Sequence, residues 1–140
     1  MKVLIDTNVY LELFLGREYK DYVKKLFYLS FRKGNQTFAT TQTLRDVEYI
    51  LRTKVHDSKV SKMLQHKVYE ITSKIISVSN DAAIEALFSD INDYEDALQS
   101  LASEEYLLDA IITLNKKDFL NSKVPTFTPK EICEIWEKDD

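Results

Sequence analysis

The chain is poor in cysteine, glycine and proline, and each scarcity narrows the class of protein. Its 140 residues include one cysteine, Cys133, which excludes a disulfide framework and a cysteine-rich zinc site. Two glycines and two prolines provide few chain breaks, which favours a mainly helical protein. No apolar run is long enough to span a bilayer or to form a signal-peptide core. We therefore expect a cytoplasmic protein that does not contact a membrane.

The composition is typical of a globular domain, and we expect one domain over residues 1–140. Hydrophobic residues make up 44% of the chain and charged residues 30%, which argues against a disordered protein. The net charge of −4 at pH 7 disfavours binding to nucleic acid through bulk electrostatics. Bound cations would reverse the charge around an acidic cluster, so a nucleic-acid substrate stays compatible with this balance.

Short apolar runs alternate with amphipathic segments along the chain. Strand candidates lie at residues 2–5, 36–39, 75–78, 109–113 and 124–127. Helix candidates lie at residues 8–14, 19–31, 44–51, 58–73, 81–87, 93–102 and 131–138. This alternation predicts an α/β protein whose parallel sheet carries helices on both faces. Ligands bind such sheets at the carboxyl ends of the strands, so polar residues at those positions are the candidate site.

Four aspartates can converge at this edge. Asp6 directly follows the first strand, and Asp46 lies in the helix after the second strand. Asp93 and Asp96 are three residues apart at a helix start, so their side chains share one face. Taken singly, each has an ordinary structural role as a turn residue, a helix cap or a surface charge. Together they predict a site for Mg²⁺ or Mn²⁺, which prefer hard oxygen ligands.

Four local sequences resemble the motifs of PIN domains. They are LIDTNV at residues 4–9, TLRDVEYILR at 43–52, DYEDALQ at 93–99 and ITLNKKDF at 112–119. In their order and spacing the motifs are most similar to those of VapC-like toxins from bacterial toxin–antitoxin pairs. The resemblance implies a three-layer α/β/α fold around a central parallel sheet of about five strands. It also implies a hydrolase that cleaves RNA with Mg²⁺ or Mn²⁺.

The resemblance assigns roles residue by residue. Asp6 matches the metal ligand of the first motif, Asp46 the acid of the second, and Asp96 the aspartate of the third. Asp93 is an additional carboxylate one helical turn earlier. These four are the predicted catalytic and metal-binding residues. In the implied mechanism, water attacks the phosphodiester in line, and the cation polarises the phosphoryl oxygen.

The fourth motif departs from the usual pattern. Many PIN domains have aspartate where this chain has Asn115, which offers an oxygen but no charge. We expect Asp93 to replace the missing carboxylate in preference to Asp118, because the Asp-Phe step is typical of a packed turn. Thr7, Asn8 and Asn115 are predicted to hydrogen-bond a ligand carboxylate, a water or a phosphate.

Basic residues near these motifs are candidates for holding RNA. Arg45, Arg52 and Lys116 could contact the phosphate backbone, and solvated surface charge is their alternative role. Glu48 and Glu95 alternate with the predicted ligands, so helical geometry is expected to turn them away from the site.

Two other functions fit parts of the pattern. A PIN scaffold that binds RNA or protein without cutting is favoured by Asn115 and by the negative net charge. An aspartyl-phosphate phosphatase would need a second aspartate two residues after Asp6, where this chain has Asn8.

The apolar helices at residues 19–31 and 47–51 permit partner docking. The family resemblance implies that such surfaces bind an antitoxin and form a homodimer.

Overall fold

A five-stranded parallel sheet lies at the centre of the computed structural model, which describes residues 1–139. The strands are β1 Lys2–Ile5, β2 Gln36–Thr40, β3 Lys74–Ile76, β4 Ala110–Ile112 and β5 Thr126–Phe127. Their order across the sheet is β3-β2-β1-β4-β5, and every neighbouring pair is parallel. The predicted α/β fold with about five parallel strands is confirmed.

Helices connect the strands and occupy the predicted positions. They are α1 Thr7–Phe14, α2 Lys20–Lys33, α3 Thr41–Val55, α4 Ser58–Ile71, α5 Asn80–Ala86, α6 Tyr94–Glu105 and α7 Pro129–Lys138, with a 3₁₀ turn at Lys116–Phe119. Within residues 1–139, no helix is both long and apolar enough to cross a membrane.

The central strand is buried on both faces, which gives the fold its three layers. Val3 and Ile5 point into the larger core, which α1, α2, α3 and α7 cover and which contains the fully buried Trp136. Leu4, between them in sequence, packs on the opposite face with Ile111 and other buried residues. Because successive side chains of a strand point to opposite faces, one short apolar run supplies both cores.

Local capping starts the helices close to the strand ends. Thr40 closes β2 and caps α3, and its hydroxyl accepts a hydrogen bond of 3.1 Å from the Thr43 amide. Thr128 and Glu131 form a reciprocal capping box at the start of α7. Helix α3 therefore begins at the carboxyl edge of the sheet, one residue after β2 ends.

The two outer strands are shorter than predicted. Strand β3 ends at Ile76 rather than at residue 78, and β5 keeps only two of its four predicted residues. Each pairs with a single neighbour, β2 or β4, so half of its backbone groups gain no ladder hydrogen bond. Short edge strands are the usual outcome because an unpaired edge gains less from extension. Val78 still packs against the buried core as part of a loop.

Candidate active site

Asp6 forms the floor of the site, at the carboxyl end of the central strand. Its side chain is 4% exposed, and both carboxylate oxygens accept hydrogen bonds of 2.8 Å. The Gln99 amide of α6 donates one, and the Thr113 hydroxyl, just after β4, donates the other. Burial raises the pKa of Asp6, and these two hydrogen bonds oppose that rise. The carboxylate is therefore fixed in orientation but costly to keep charged.

Asp96 lies near Asp6, in the first turn of α6. Burial and the neighbouring charges of Asp6 and Asp93 raise the pKa of Asp96 to about 7. Asp93 is the N-cap of the same helix, and its Oδ1 accepts a 3.1 Å hydrogen bond from the Asp96 amide. The capping role considered for Asp93 is present, and the residue also contributes negative charge to the site.

Asp46 and Glu95 bring a hydrogen-bonded pair of carboxyl groups from two helices. Asp46 lies on α3 and Glu95 on α6, and their side chains hydrogen-bond each other. The pKa of each is raised mainly by burial, and Arg45 partly offsets that rise. The prediction that Glu95 turns away from the site is wrong. Helix α6 begins at the pocket, so residues on several faces of its first turn reach the same space.

The acidic side chains surround one pocket of about 380 Å³. We name it the acidic pocket. Its acidic lining residues are Asp6, Asp46, Asp93, Glu95, Asp96 and Asp118. The four aspartates expected to converge therefore share a pocket, although they are up to 90 residues apart in sequence. Asp6 and Asp96 line the same pocket, whereas positions on opposite sides of the molecule would have excluded a common site.

The fourth motif differs from its prediction. Asp118 lines the acidic pocket and its charge helps to raise the pKa of both Asp6 and Asp96. Asn115 instead lines a neighbouring pocket, and its backbone amide donates to the Thr113 hydroxyl. The Asp-Phe step is a packed turn, as predicted, because Phe119 is buried in the core, but this packing leaves Asp118 in the lining of the acidic pocket.

Thr7 and Asn8 both line the acidic pocket, as expected for residues beside Asp6. The Thr7 hydroxyl lies 3.0 Å from the Thr43 hydroxyl, which ties the start of α1 to the start of α3. Asn8 also lines the neighbouring pocket that contains Asn115. These polar groups belong to the wall of the site, where they can orient a ligand.

The predicted basic residues are in different surroundings. Arg45 lies close enough to the Asp46–Glu95 pair to affect both pKa values. Arg52 contacts Glu48 at 3.3 Å, and its guanidinium lies 5.8 Å from the ring centre of Tyr49, which lines the acidic pocket. Lys116 instead bonds both carboxylate oxygens of Glu131 on α7 at 3.1 Å.

The donor set fits a hard divalent cation. Asp6, Asp46 and Asp96 all have raised pKa values, which means that their charged forms are disfavoured in the pocket. A cation bound between these carboxylates would stabilise the charged forms. Beside Asp6, the Gln99 side-chain oxygen is buried without a hydrogen-bond partner. Over residues 1–139, no three acidic, histidine or cysteine side chains are already arranged as a metal-binding group.

Comparison with known proteins gives one family. The family model described as PIN domain matches residues 2–117, which contain β1 to β4 and five of the six acidic residues of the pocket; Asp118 lies one residue beyond the match. No curated protein matches the chain significantly.

Two solved structures share the fold. One, a toxin-antitoxin complex from Klebsiella pneumoniae, has a TM-score of 0.62 and 22% identity, covering 91% of this chain and 97% of that chain. The other, VapBC2 from Rickettsia felis bound to a DNA fragment from their promoter, has a TM-score of 0.67 and 14% identity. The match covers 91% of this chain and 98% of that chain. At these identities the likeness shows the fold alone, whereas the family model spans most of the sequence. The chain belongs to the PIN domain family.

Proposed function

We propose that this protein is an endoribonuclease that uses Mg²⁺ or Mn²⁺ to cleave RNA phosphodiester bonds. The observation that carries the proposal is the acidic pocket, where carboxylates from separate elements meet at the carboxyl edge of a parallel sheet. Divalent cations held by carboxylates are the usual means of phosphodiester hydrolysis on such a site. Membership of the PIN domain family supports the same chemistry.

Asp6, Asp46, Asp93 and Asp96 are the proposed cation ligands, and Asp118 is a fifth candidate. When bound, the cation would neutralise charge on the phosphate and lower the pKa of an attacking water. Asp6 is held by two hydrogen bonds, so its oxygens need no reorientation to serve as ligands. Asp96 has a pKa of about 7 and must lose its proton to bind a cation. This requirement predicts weaker cation binding below neutral pH.

Other residues of the chain are proposed to handle protons and hold the substrate. The hydrogen bond between Asp46 and Glu95 requires one proton on the pair, so the pair is proposed to hold a proton at the pocket edge. Thr7 and Asn8 would hydrogen-bond a ligand carboxylate or a phosphate. Arg45 and Arg52 are candidates for contacts with the RNA backbone, and Lys116 is a weaker one because Glu131 already holds it.

We further propose that the ribonuclease acts in the cytoplasm as the toxin of a toxin–antitoxin pair, with an antitoxin partner and as a homodimer. The support is the fold shared with a toxin-antitoxin complex from Klebsiella pneumoniae and with VapBC2 from Rickettsia felis. Production of the wild-type chain in a bacterium should stop growth, and Asp96→Asn should relieve the arrest. Equal growth of cells producing either protein would contradict the toxin role.

Cleavage of RNA by the purified protein tests the chemistry. Wild type should cut single-stranded RNA in Mg²⁺ or Mn²⁺ and not in EDTA, and Asp96→Asn should reduce kcat at least 100-fold. Glu85→Gln, which removes one surface charge on α5 outside the acidic pocket, is the matched control and should keep wild-type kcat. Equal activity of wild type and Asp96→Asn would refute the proposal.

The alternative is a PIN scaffold that binds RNA or protein without cutting. The specific observation in its favour is that residues 1–139 contain no ready-made group of three metal-binding side chains. RNA binding by wild type with no cleavage, across several RNAs and both cations, would select this alternative.

A further inference from the structure

A second pocket of about 490 Å³ lies beside the acidic pocket. Its lining includes Asn8, Glu12, Arg17, Tyr19 and Asn115, and we name it the α1 pocket. Asn8 lines both pockets, so the two are adjacent on the surface. The volume lies within the range of small-ligand sites. None of the functions assigned above uses the carboxylate or the ring in this pocket.

The turn after α1 builds one side of the α1 pocket. Gly16 has φ of 63°, and the amides of Gly16 and Arg17 donate to the carbonyls of Leu13 and Glu12 at 3.2 and 3.0 Å. This pair of hydrogen bonds is the Schellman ending of a helix. It folds the chain back over the last turn of α1, so Arg17 and Tyr19 come to lie around Glu12.

Glu12 is the distinctive group of the α1 pocket. Its side chain is 6% exposed, and the hydrogen bond found for its carboxylate within residues 1–139 is from the Tyr19 amide to Oε2, at 2.8 Å. Within residues 1–139, no protein group donates to the other oxygen, Oε1. Because Oε1 is not sealed from solvent, water or a ligand in the α1 pocket can donate to it. The pocket thus presents a fixed acceptor to whatever enters.

The rim adds groups that suit a nucleobase. Tyr19 is 44% exposed, which leaves ring surface available for stacking. Asn8 and Asn115 carry amides that can donate to a carbonyl oxygen of a base, and Arg17 can donate as well. A phosphate is a poorer occupant, because the carboxylates of Glu12 and Glu18 both lie in the lining and would repel an anion.

We propose that the α1 pocket binds a base next to the phosphate that is cut, with a preference for guanine. Guanine presents two adjacent donors, N1–H and the N2 amino group, and its O6 accepts from an amide. Oε1 of Glu12 can accept from one of these donors, and Oε2 can accept from the other with the lone pair that the Tyr19 amide does not use. Uracil lacks the amino donor, and adenine lacks the N1–H donor. The location beside the scissile phosphate rests on the proposed ribonuclease function, whereas the base preference can be measured without cleavage.

Binding of short RNAs tests the preference directly. The probes are a uridine 11-mer and three relatives that carry one central guanosine, adenosine or cytidine, measured by fluorescence anisotropy at low salt in EDTA. The guanosine probe should bind wild type about tenfold more tightly than the uridine 11-mer, as expected for a two-point base contact. Glu12→Gln should abolish this difference, because its amide still offers an oxygen to Tyr19 but presents donors to the base.

Two matched variants separate a base contact from a general charge effect. Glu18→Gln removes the same charge from the same pocket and should keep the guanosine preference. Tyr19→Leu keeps the backbone amide that binds Glu12, so it should weaken all four probes about fivefold without changing their order. Circular dichroism and thermal melting would confirm that Glu12→Gln is folded before its affinities are compared.

The outcomes distinguish the two proposals. Equal binding of the four probes by wild type, or a guanosine preference that survives in Glu12→Gln, overturns the α1 pocket proposal even if RNA is cleaved. Failure of wild type to bind any probe overturns it as well. A guanosine preference lost in Glu12→Gln, together with no cleavage in Mg²⁺ or Mn²⁺, upholds base binding and refutes the ribonuclease function.

Discussion

Replacing Asp96 by asparagine should stabilise the cation-free protein at alkaline pH while removing its response to cations. Between about pH 4 and pH 7, the folded protein keeps the proton on Asp96, whose pKa is about 7, while the unfolded chain has lost it. The folded state then binds more protons, so the free energy of unfolding falls as pH rises through this window. Above pH 7 the folded protein bears the full free-energy cost of a charged Asp96, and asparagine removes this cost.

The magnitude follows from the two pKa values. The difference between about 7 and the ordinary value of 3.8 corresponds to about 4 kcal/mol at 1.36 kcal/mol per pKa unit. Asp96 is half-buried, so solvent screening reduces the expected gain to roughly 1–2 kcal/mol at pH 8. For a chain of this length, that gain raises Tm by about 3–6 °C.

Urea and thermal unfolding in EDTA at pH 5 and pH 8 would measure the effect. Asp96→Asn should exceed wild type in stability more at pH 8 than at pH 5, and Glu85→Gln should show no such difference. Saturating Mn²⁺ at pH 8 should then stabilise wild type by about 2–3 kcal/mol and leave Asp96→Asn nearly unchanged. A variant that is less stable than wild type by the same amount at both pH values would refute the reasoning.

Three further predictions concern the site and the core. Asp118→Asn should weaken Mn²⁺ binding about tenfold or more by titration calorimetry, whereas Asn115→Ala, in the neighbouring pocket, should change it less than twofold. Thr113→Val removes the 2.8 Å hydrogen bond to buried Asp6 and should lower the free energy of unfolding in urea by about 2 kcal/mol. Trp136→Ala empties a fully buried position in the larger core and should cost about 3–5 kcal/mol in the same assay.

The order of strands and helices could be predicted from the sequence because local patterns carry it. The run at residues 2–5 is apolar throughout, which indicates a strand buried on both faces, and Thr128 with Glu131 marks the start of α7. The extents of β3 and β5 could not be predicted. They depend on which strands lie at the edges of the sheet, and pairing across the sheet is absent from the local sequence.

The sequence predicted the location of the acidic pocket, but the predicted set of lining residues was incomplete. Asp6 and Asp96 could be selected because each belongs to a local motif and each lies at the start of a helix. Helical periodicity predicts that Glu95 points away from the face of Asp96. This argument fails in the first turn of α6, because the helix begins at the pocket and side chains on several of its faces reach it. The Asp-Phe step indicates a packed turn, and the burial of Phe119 agrees with it, but only the tertiary structure brings Asp118 to the acidic pocket.

The sequence by itself determined the alternation of strands and helices, the family motifs and which oxygen-bearing residues could serve a cation. Side-chain type and short-range spacing are local properties, so they can be read without coordinates. The tertiary structure alone decided that Asp118 joins the acidic pocket while Asn115 faces the α1 pocket, and that Glu12 is buried with an open oxygen. These features arise where segments distant in sequence pack together, and packing sets the burial and neighbouring charges from which pKa values follow.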